Sequence, residues 1–250
     1  KVVCSLRDVL VEKKEQAGYE ERVLKTLNTY FDLLLIHSDP QLIRLDETFS
    51  RMQDINLPVE YTGFVTRQPP GLDGSKREGL IVASGGGSPV GKHLLASAMS
   101  AAQILPAEKL HLHAFASPFM DQQDLDFLDQ LATGDKRTTL LPFSSNFLNE
   151  LAVADLSISM AGYNTCMDII SSGVRALVYP FPQNREQSKR AGKLQELGIL
   201  SVLDSLQVDY LAARISTMLK DRFPRRASAA IRTDGASNTV HIVEKYLNRL

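Results

Sequence analysis

Short aliphatic and β-branched runs alternate along the chain with longer segments of helical period, and this alternation restricts the fold more than any other feature. It is the pattern of parallel βαβ units, in which each strand is followed by a crossover helix, and it excludes sandwiches and helical bundles. In the first part the pattern predicts strands at Lys1 to Ser5, Asp32 to His37 and Val59 to Phe64, with a helix at Tyr19 to Tyr30. That is part of a doubly wound sheet. The stretch Gln68 to Glu78 gathers Pro69, Pro70, Gly71, Gly74 and four charges, the best linker in the sequence, so the expected division is 1–67, a linker at 68–78, and 79–250. Beyond it strands are expected at Gly79 to Ser84, Leu110 to Phe115, Thr139 to Pro142, Asp155 to Ser159, Ala176 to Tyr179 and Leu200 to Leu203. Helices are expected at Val90 to Leu105, Asp121 to Ala132, Phe147 to Ala154, Thr165 to Ser172, Arg185 to Leu197 and Val208 to Lys220. The fold class is therefore α/β, with a complete Rossmann-like second domain after a partial first one. A last helix within Arg225 to Leu250 carries Val240, Val243 and Leu247 on one stripe, suited to packing back on the first domain.

Composition narrows the function classes. With 44% apolar residues and a formal net charge of -1 the chain is globular, and 28 basic against 29 acidic residues give no field that would gather nucleic acid. Cys4 and Cys166 stand far apart without a metal-ligand pattern, which fits a reducing cytoplasmic setting and no zinc site. No apolar run approaches the roughly 20 residues of a membrane helix. The chain opens on Lys1 and runs directly into Val2-Val3-Cys4, as a fragment of a longer protein would.

In an open parallel sheet ligands gather at the carboxyl ends of the strands, so the loops that follow strands are where chemistry is expected. Three are unusual. Ser84-Gly85-Gly86-Gly87-Ser88 joins a strand to a helix, and its glycines allow close approach of backbone to a phosphate; it fits neither a dinucleotide fingerprint nor a Walker loop. A turn that merely needs positive φ is the bland alternative. Ser159 to Thr165 is a small-residue loop that opens a helix, with Asn164 or Thr165 as N-cap and Asp168 in the first turn, placed for ribose hydroxyls or simply favoured by the helix dipole. On the first of these readings, Asp168→Ala weakens nucleotide binding and barely changes folding. Pro180 to Gln187 ends in Glu186 and Gln187, an acid and an amide able to hold sugar hydroxyls, or in Glu186 as an ordinary helix-start carboxylate.

The histidines offer no metal site, since His111 and His113 share a strand face without a third ligand. His37 ends a strand beside Ser38 and Asp39, His93 follows the glycine loop, and His241 reads as a surface residue; for each a structural role comes first. Asp124-Leu125-Asp126 falls within a helix, where the two acids point apart.

The run Ala154-Asp155, Ala161 to Thr165, Asp168, Gly173, Pro180, Glu186-Gln187, Arg190-Ala191, Leu194 and Gly198 resembles the C-terminal domain of glycosyltransferase family 28. That family has the two-Rossmann GT-B fold, and the resemblance spans roughly Gly79 to Leu203. It implies a bacterial, metal-independent hexosyltransferase that needs no cofactor and moves a sugar from a nucleotide diphosphate donor, UDP foremost, to an acceptor hydroxyl. Nucleic acid is not among its partners. A nucleotide-sugar hydrolase or 2-epimerase on the same fold is the alternative. Carried over by position, Gly85, Gly86 and Gly87 approach phosphate or acceptor, and Phe143 and Ser144 flank the nucleotide base. Gly162, Tyr163, Asn164 and Thr165 cradle the diphosphate, Asp168 holds ribose where the family often has Glu, and Glu186 and Gln187 hold the donor sugar. Arg190 stands where the family often has Asn, which leaves its contact open. The resemblance also places the catalytic base in an absent opening half of the first domain, so this chain would bind donor without transferring it. A lipid-linked acceptor, a peripheral membrane contact through Arg222, Arg225, Arg226 and Arg232, and a homodimer through an unpaired sheet edge stay open.

Overall fold

The computed structural model describes residues 1–10, 12–68, 77–86, 91–106, 110–220 and 231–248. They form two compact units: Lys1–Thr66, Gln183–Lys193 and Ala229–Leu250 make the first, Arg67–Pro182 and Leu194–Ser228 the second.

The first unit is built on a three-stranded parallel sheet, β1 (Val3–Leu6), β2 (Leu33–Ile36) and β3 (Val59–Tyr61), in that spatial order. Every residue of β2 is buried, as expected of a central parallel strand covered on both faces. Helix α1 (Gln16–Tyr30) supplies Leu24 and Leu27 to one face, where they meet Leu34, Ile36, Leu45 and Phe49. Each such aliphatic side chain contributes about 1.5 to 3 kcal/mol by leaving water. Between β2 and β3 the chain makes two short 3₁₀ turns, Leu45–Glu47 and Met52–Asp54. Glu20, only 3% exposed, ties that connection to α1: it accepts hydrogen bonds from the Ser50 amide (3.0 Å), the Ser50 hydroxyl (2.5 Å) and Gln16 (2.7 Å). Burial pushes its carboxyl up, but these bonds and nearby Arg51 outweigh it and hold the group below its usual range.

The second unit holds six parallel strands in the order β6-β5-β4-β7-β8-β9. These are β4 (Leu80–Ser84), β5 (His111–Phe115), β6 (Thr138–Leu141), β7 (Leu156–Met160), β8 (Arg175–Tyr179) and β9 (Ser201–Val202). Helices α2 (Lys92–Ile104), α3 (Gln122–Thr133) and α7 (Val208–Lys220) bury Leu95, Met99, Leu128, Leu211 and Ile215 against Ile81, Leu112, Leu156 and Ile158. Two further helices, α4 (Phe147–Val153) and α5 (Tyr163–Ser172), pack on β4 and β7. Strand order reverses between β4 and β7, the switch point at which such sheets bind ligands. The α/β class and the six-stranded Rossmann-like sheet are as the sequence predicts.

Two elements run differently. Helix α6 (Arg185–Glu196) begins where expected, but residues 183–193 belong to the first unit. Helix α8 (Gly235–Leu247), also in the first unit, does not bury the predicted stripe: Val240 and Leu247 are 57% and 52% exposed. It is held instead by polar contacts, Asn238 to the Thr62 carbonyl (2.8 Å) and the Tyr246 hydroxyl to the Asp32 carbonyl (2.9 Å). Periodicity alone cannot see hydrogen bonds to strand ends. Most of the expected linker, residues 69–76, lies outside the described residues, as do Arg222, Arg225 and Arg226.

Candidate functional site

The loops at the carboxyl edge of the six-stranded sheet carry most of the residues singled out above. After β4, Gly85 and Gly91 press backbone to backbone: a Cβ on Gly85 would lie 2.6 Å from the Gly91 Cα, and one on Gly91 would collide with Gly85. Gly86 has φ of +73°, a conformation that suits only glycine, and a Cβ there would meet nothing within 4 Å. Its amide donates to the Ser84 hydroxyl (3.1 Å). Two of the three glycines thus answer local demands, close approach and positive φ, while Gly86 still leaves open space beside the strand end. Gly87 lies outside the described residues.

After β6, Phe143 is 60% exposed, and Ser144 accepts from the Asn146 amide through its hydroxyl (3.1 Å), turning the chain into α4. After β7, Gly162 is the N-cap of α5 with extended geometry, and no side chain caps the helix. This differs from the expected cap at Asn164 or Thr165; both residues lie inside the first turn. The first amides of a helix lack intrahelical acceptors, so this uncapped end presents donors and the positive pole of the dipole at the switch point.

The earlier helix start also moves Asp168 into the second turn, beyond the reach of the helix-dipole preference that would explain an acid in the first. Its carboxylate is 7% exposed and is gripped at both oxygens by Arg67, at 2.7 Å and 3.3 Å. Arg67 also reaches the Ser145 carbonyl (3.4 Å), and its own carbonyl accepts from Ser171. One guanidinium, 55% exposed, therefore links the loop after β6 to the helix after β7. Sequence reasoning missed Arg67: a single cation ahead of a proline-glycine stretch carries no periodic or motif signal. Lys92, in the first turn of α2, pairs with Asp124 and lies over the Phe127 ring at 5.0 Å. Asp126 takes a different partner, Gln122 (2.8 Å), so the two acids point apart as expected.

In the first unit, the start of α6 is fastened by its cations. Arg190, 2% exposed, places Nε (3.0 Å) and Nη2 (2.5 Å) on one oxygen of Asp8. Lys189 meets Glu12 (3.1 Å) and the Glu47 carbonyl (2.7 Å), Arg185 meets Glu12 (2.6 Å), and Lys193 meets Glu47 (2.5 Å). Glu186 on the same helix is half-buried, with one carboxylate oxygen buried and without a hydrogen-bond partner. Burial pushes its carboxyl up, and Asp8 adds to this, while Arg190, Lys13 and Arg7 pull it down only in part. Gln187 is half-buried beside it.

His111 is exposed, His113 bonds Glu150 (3.3 Å), and among the described residues no group of three or more His, Cys, Asp or Glu side chains is placed to hold a metal ion. No helix of the described residues is long and apolar enough to cross a membrane.

Residues 86–241 match the model of the glycosyltransferase family 28 C-terminal domain. The UDP-N-acetylglucosamine--N-acetylmuramyl-(pentapeptide) pyrophosphoryl-undecaprenol N-acetylglucosamine transferase of Acetivibrio thermocellus is 31% identical over 87 residues, 33% of this chain and 24% of that protein. Among solved structures, the chain is similar to the calicheamicin glycosyltransferase CalG4 (TM-score 0.62, 16% identity, 99% of this chain and 68% of that one). It is also similar to Anabaena HepE in complex with UDP and glucose (0.60, 19%, 99% and 71%) and to MurG of Acinetobacter baumannii (0.56, 16%, 97% and 66%). The architecture is that of the GT-B glycosyltransferases. With more than half of its length matched by that one model, this chain belongs to glycosyltransferase family 28.

Proposed function

We propose that the protein transfers a hexose from a UDP-linked donor to an acceptor hydroxyl, with the carboxyl edge of the six-stranded sheet as the nucleotide site. The observation that carries the reading is the uncapped start of α5 at the switch point, with Arg67 and Asp168 beside it. In this reading Asn164 and Thr165 offer amides to the diphosphate, and Phe143 and the Ser144 backbone flank the base. Asp168, held in place by Arg67, accepts from the ribose hydroxyls, and Gly86 borders the phosphates. Glu186 and Gln187 supply the contacts to sugar hydroxyls. Arg190 serves the site indirectly, by neutralising Asp8 and fixing the helix that carries them.

The chemistry needs stabilisation of a leaving nucleoside diphosphate while the sugar passes through an oxocarbenium-like state. Backbone amides and a helix dipole aimed at developing negative charge do this without reorganising, the logic of an oxyanion hole. Arg67 balances the charge of Asp168, so that acid adds no net negative charge beside the diphosphate, and the reading requires no metal ion. The support for UDP is the HepE structure, which holds UDP and glucose, and the Acetivibrio relative, whose name specifies a UDP-sugar donor and an undecaprenol-linked acceptor. A lipid-linked acceptor met at a membrane surface is the corresponding reading for this protein.

Titration calorimetry with UDP, and with UDP-sugars in turn, tests the donor site. Binding of UDP that is weakened in Asp168→Ala supports the reading, whereas the absence of heat with every nucleoside diphosphate refutes it.

A further inference from the structure

The ladder of the six-stranded sheet ends level at β4, β5 and β6, where Ser84 pairs with Phe115 and Phe115 with Leu141. In the donor reading Gly86 borders the phosphates two residues beyond the end of β4, and Phe143 flanks the base two residues beyond the end of β6. Neighbouring strands lie about 4.8 Å apart, so these two ends are separated by about 10 Å, with β5 between them. A nucleotide that reaches from one to the other crosses the loop after β5, which that reading does not use.

That loop holds Phe119, which at 71% is more exposed than any other large apolar residue among those described. The turn that carries it is pinned on both sides. The Ser117 hydroxyl accepts from the Phe119 amide (3.1 Å), the Ser117 carbonyl accepts from the Met120 amide (3.2 Å), and Asp121 caps α3 by accepting from the Asp124 amide (2.8 Å). Ser117 and Met120 are buried, so the backbone around Phe119 is anchored while its ring stands in solvent. A tight turn gains nothing from a phenyl ring, since polar residues and glycine serve it better. Nor does this ring stabilise the fold by leaving water, because most of it has not left. A fixed, exposed aromatic at the ligand edge of a parallel sheet offers a π face to a planar ligand.

We propose that Phe119 stacks on the nucleobase of the donor, as a second aromatic contact beside Phe143. The inference rests on the donor reading and deepens it: the end of β6 supplies one contact to the base and the end of β5 another. Stacking uses the π face that every base shares, so Phe119 adds affinity for the nucleoside without choosing among bases. That choice falls to hydrogen bonds, which in this reading come from the Ser144 backbone. Phe119 touches no reacting atom; it holds the donor in place.

The sequence contains no tryptophan, so Phe119→Trp places a single indole at the proposed contact. Its fluorescence should be quenched saturably by UDP, over the concentrations at which calorimetry finds binding, and stay unchanged with pyrophosphate, which has no base. In Phe119→Ala and Phe119→Leu the affinities for UDP and for CDP should both fall about 5- to 150-fold, the span of one base–aromatic stack, with the melting temperature unchanged. Leucine keeps apolar bulk without the ring face, so its loss separates stacking from simple burial. Parent-like UDP affinity in either variant, or an indole that ignores bound UDP or responds equally to pyrophosphate, overturns the stacking proposal and leaves the donor reading in place. A parent protein that binds no nucleoside diphosphate overturns the donor reading, and the stacking proposal falls with it.

Discussion

The pair Asp8–Arg190 predicts a large stability change. Both side chains are almost fully buried, at 6% and 2% exposure, with two N–H groups on one carboxylate oxygen at 3.0 and 2.5 Å. At about 3 Å and an effective dielectric of about 20, the attraction is of order 5 kcal/mol, set against a desolvation penalty of several kcal/mol per ion. The pair therefore adds little net stability, yet breaking it takes a full carboxylate away from a buried guanidinium. Asp8→Ala should cost about 3 to 5 kcal/mol, the range for removing one partner of a buried pair, or roughly 6 to 20 °C of melting temperature at about 2 to 4 °C per kcal/mol for a chain of this size. The double variant Asp8→Leu, Arg190→Met should recover most of that loss, because apolar replacement removes both the attraction and the penalty. Urea unfolding with an unchanged m-value reads the free energies directly. A loss under about 1 kcal/mol for Asp8→Ala, or a double variant as unstable as the sum of the singles, refutes the reasoning. UDP-sugar affinity maintained in the double variant would bear out the indirect role given to Arg190.

At the nucleotide edge, Arg67→Ala should weaken UDP binding about 10- to 100-fold, equivalent to roughly 1.5 to 3 kcal/mol for a charged hydrogen bond, and also lower stability because Asp168 stays buried without its cation; unchanged calorimetric affinity would remove Arg67 from the site. Asp168→Ala should likewise cost about 1 to 3 kcal/mol of folding stability, measured by urea unfolding, against the sequence expectation that folding would barely change. Gly91→Ala should destabilise by about 1 to 3 kcal/mol through the backbone collision with Gly85, and a melting temperature equal to the parent's would show that the loop yields. Glu20 has a folded pKa below its ordinary 4.5, so its contribution is present above that pH and is lost as pH falls through the folded value; Glu20→Gln should flatten the acid limb of stability below about pH 4.5, seen as parallel melting curves across that range.

Most elements were legible because buried parallel strands such as Leu33 to Ile36 and Leu80 to Ser84 are short continuous apolar runs, and the helices between them keep a 3.6-residue period. The helix boundaries slipped by one to three residues, and at α5 that slip mattered, since it moved Asp168 out of the first turn. The loops of the nucleotide edge were readable as glycine and small-residue clusters after strands. What escaped was everything set by side chains meeting across long separations: Arg67 on Asp168, Arg190 on Asp8, and Thr62 fixing the face of His37. The residues joined in these three pairs are 101, 182 and 25 positions apart, and no local pattern marks such partners.

The first unit draws on both ends of the sequence, with a short insert from residues 183–193 and α8 from the last turns of the chain. On the ribosome this imposes a waiting time. After Thr66 emerges, the chain must grow to Ala229 before the last part of the unit begins to appear, which at about 5 to 20 residues per second takes roughly 8 to 33 s. Throughout that interval β1 to β3 stand nascent, with the partners of Asp32, Asp39 and Thr62 unmade and apolar strand surface in reach of other chains. The protein made in cells should therefore depend on nascent-chain chaperones far more than its final stability would suggest, and slowing translation should lower, not raise, its soluble yield.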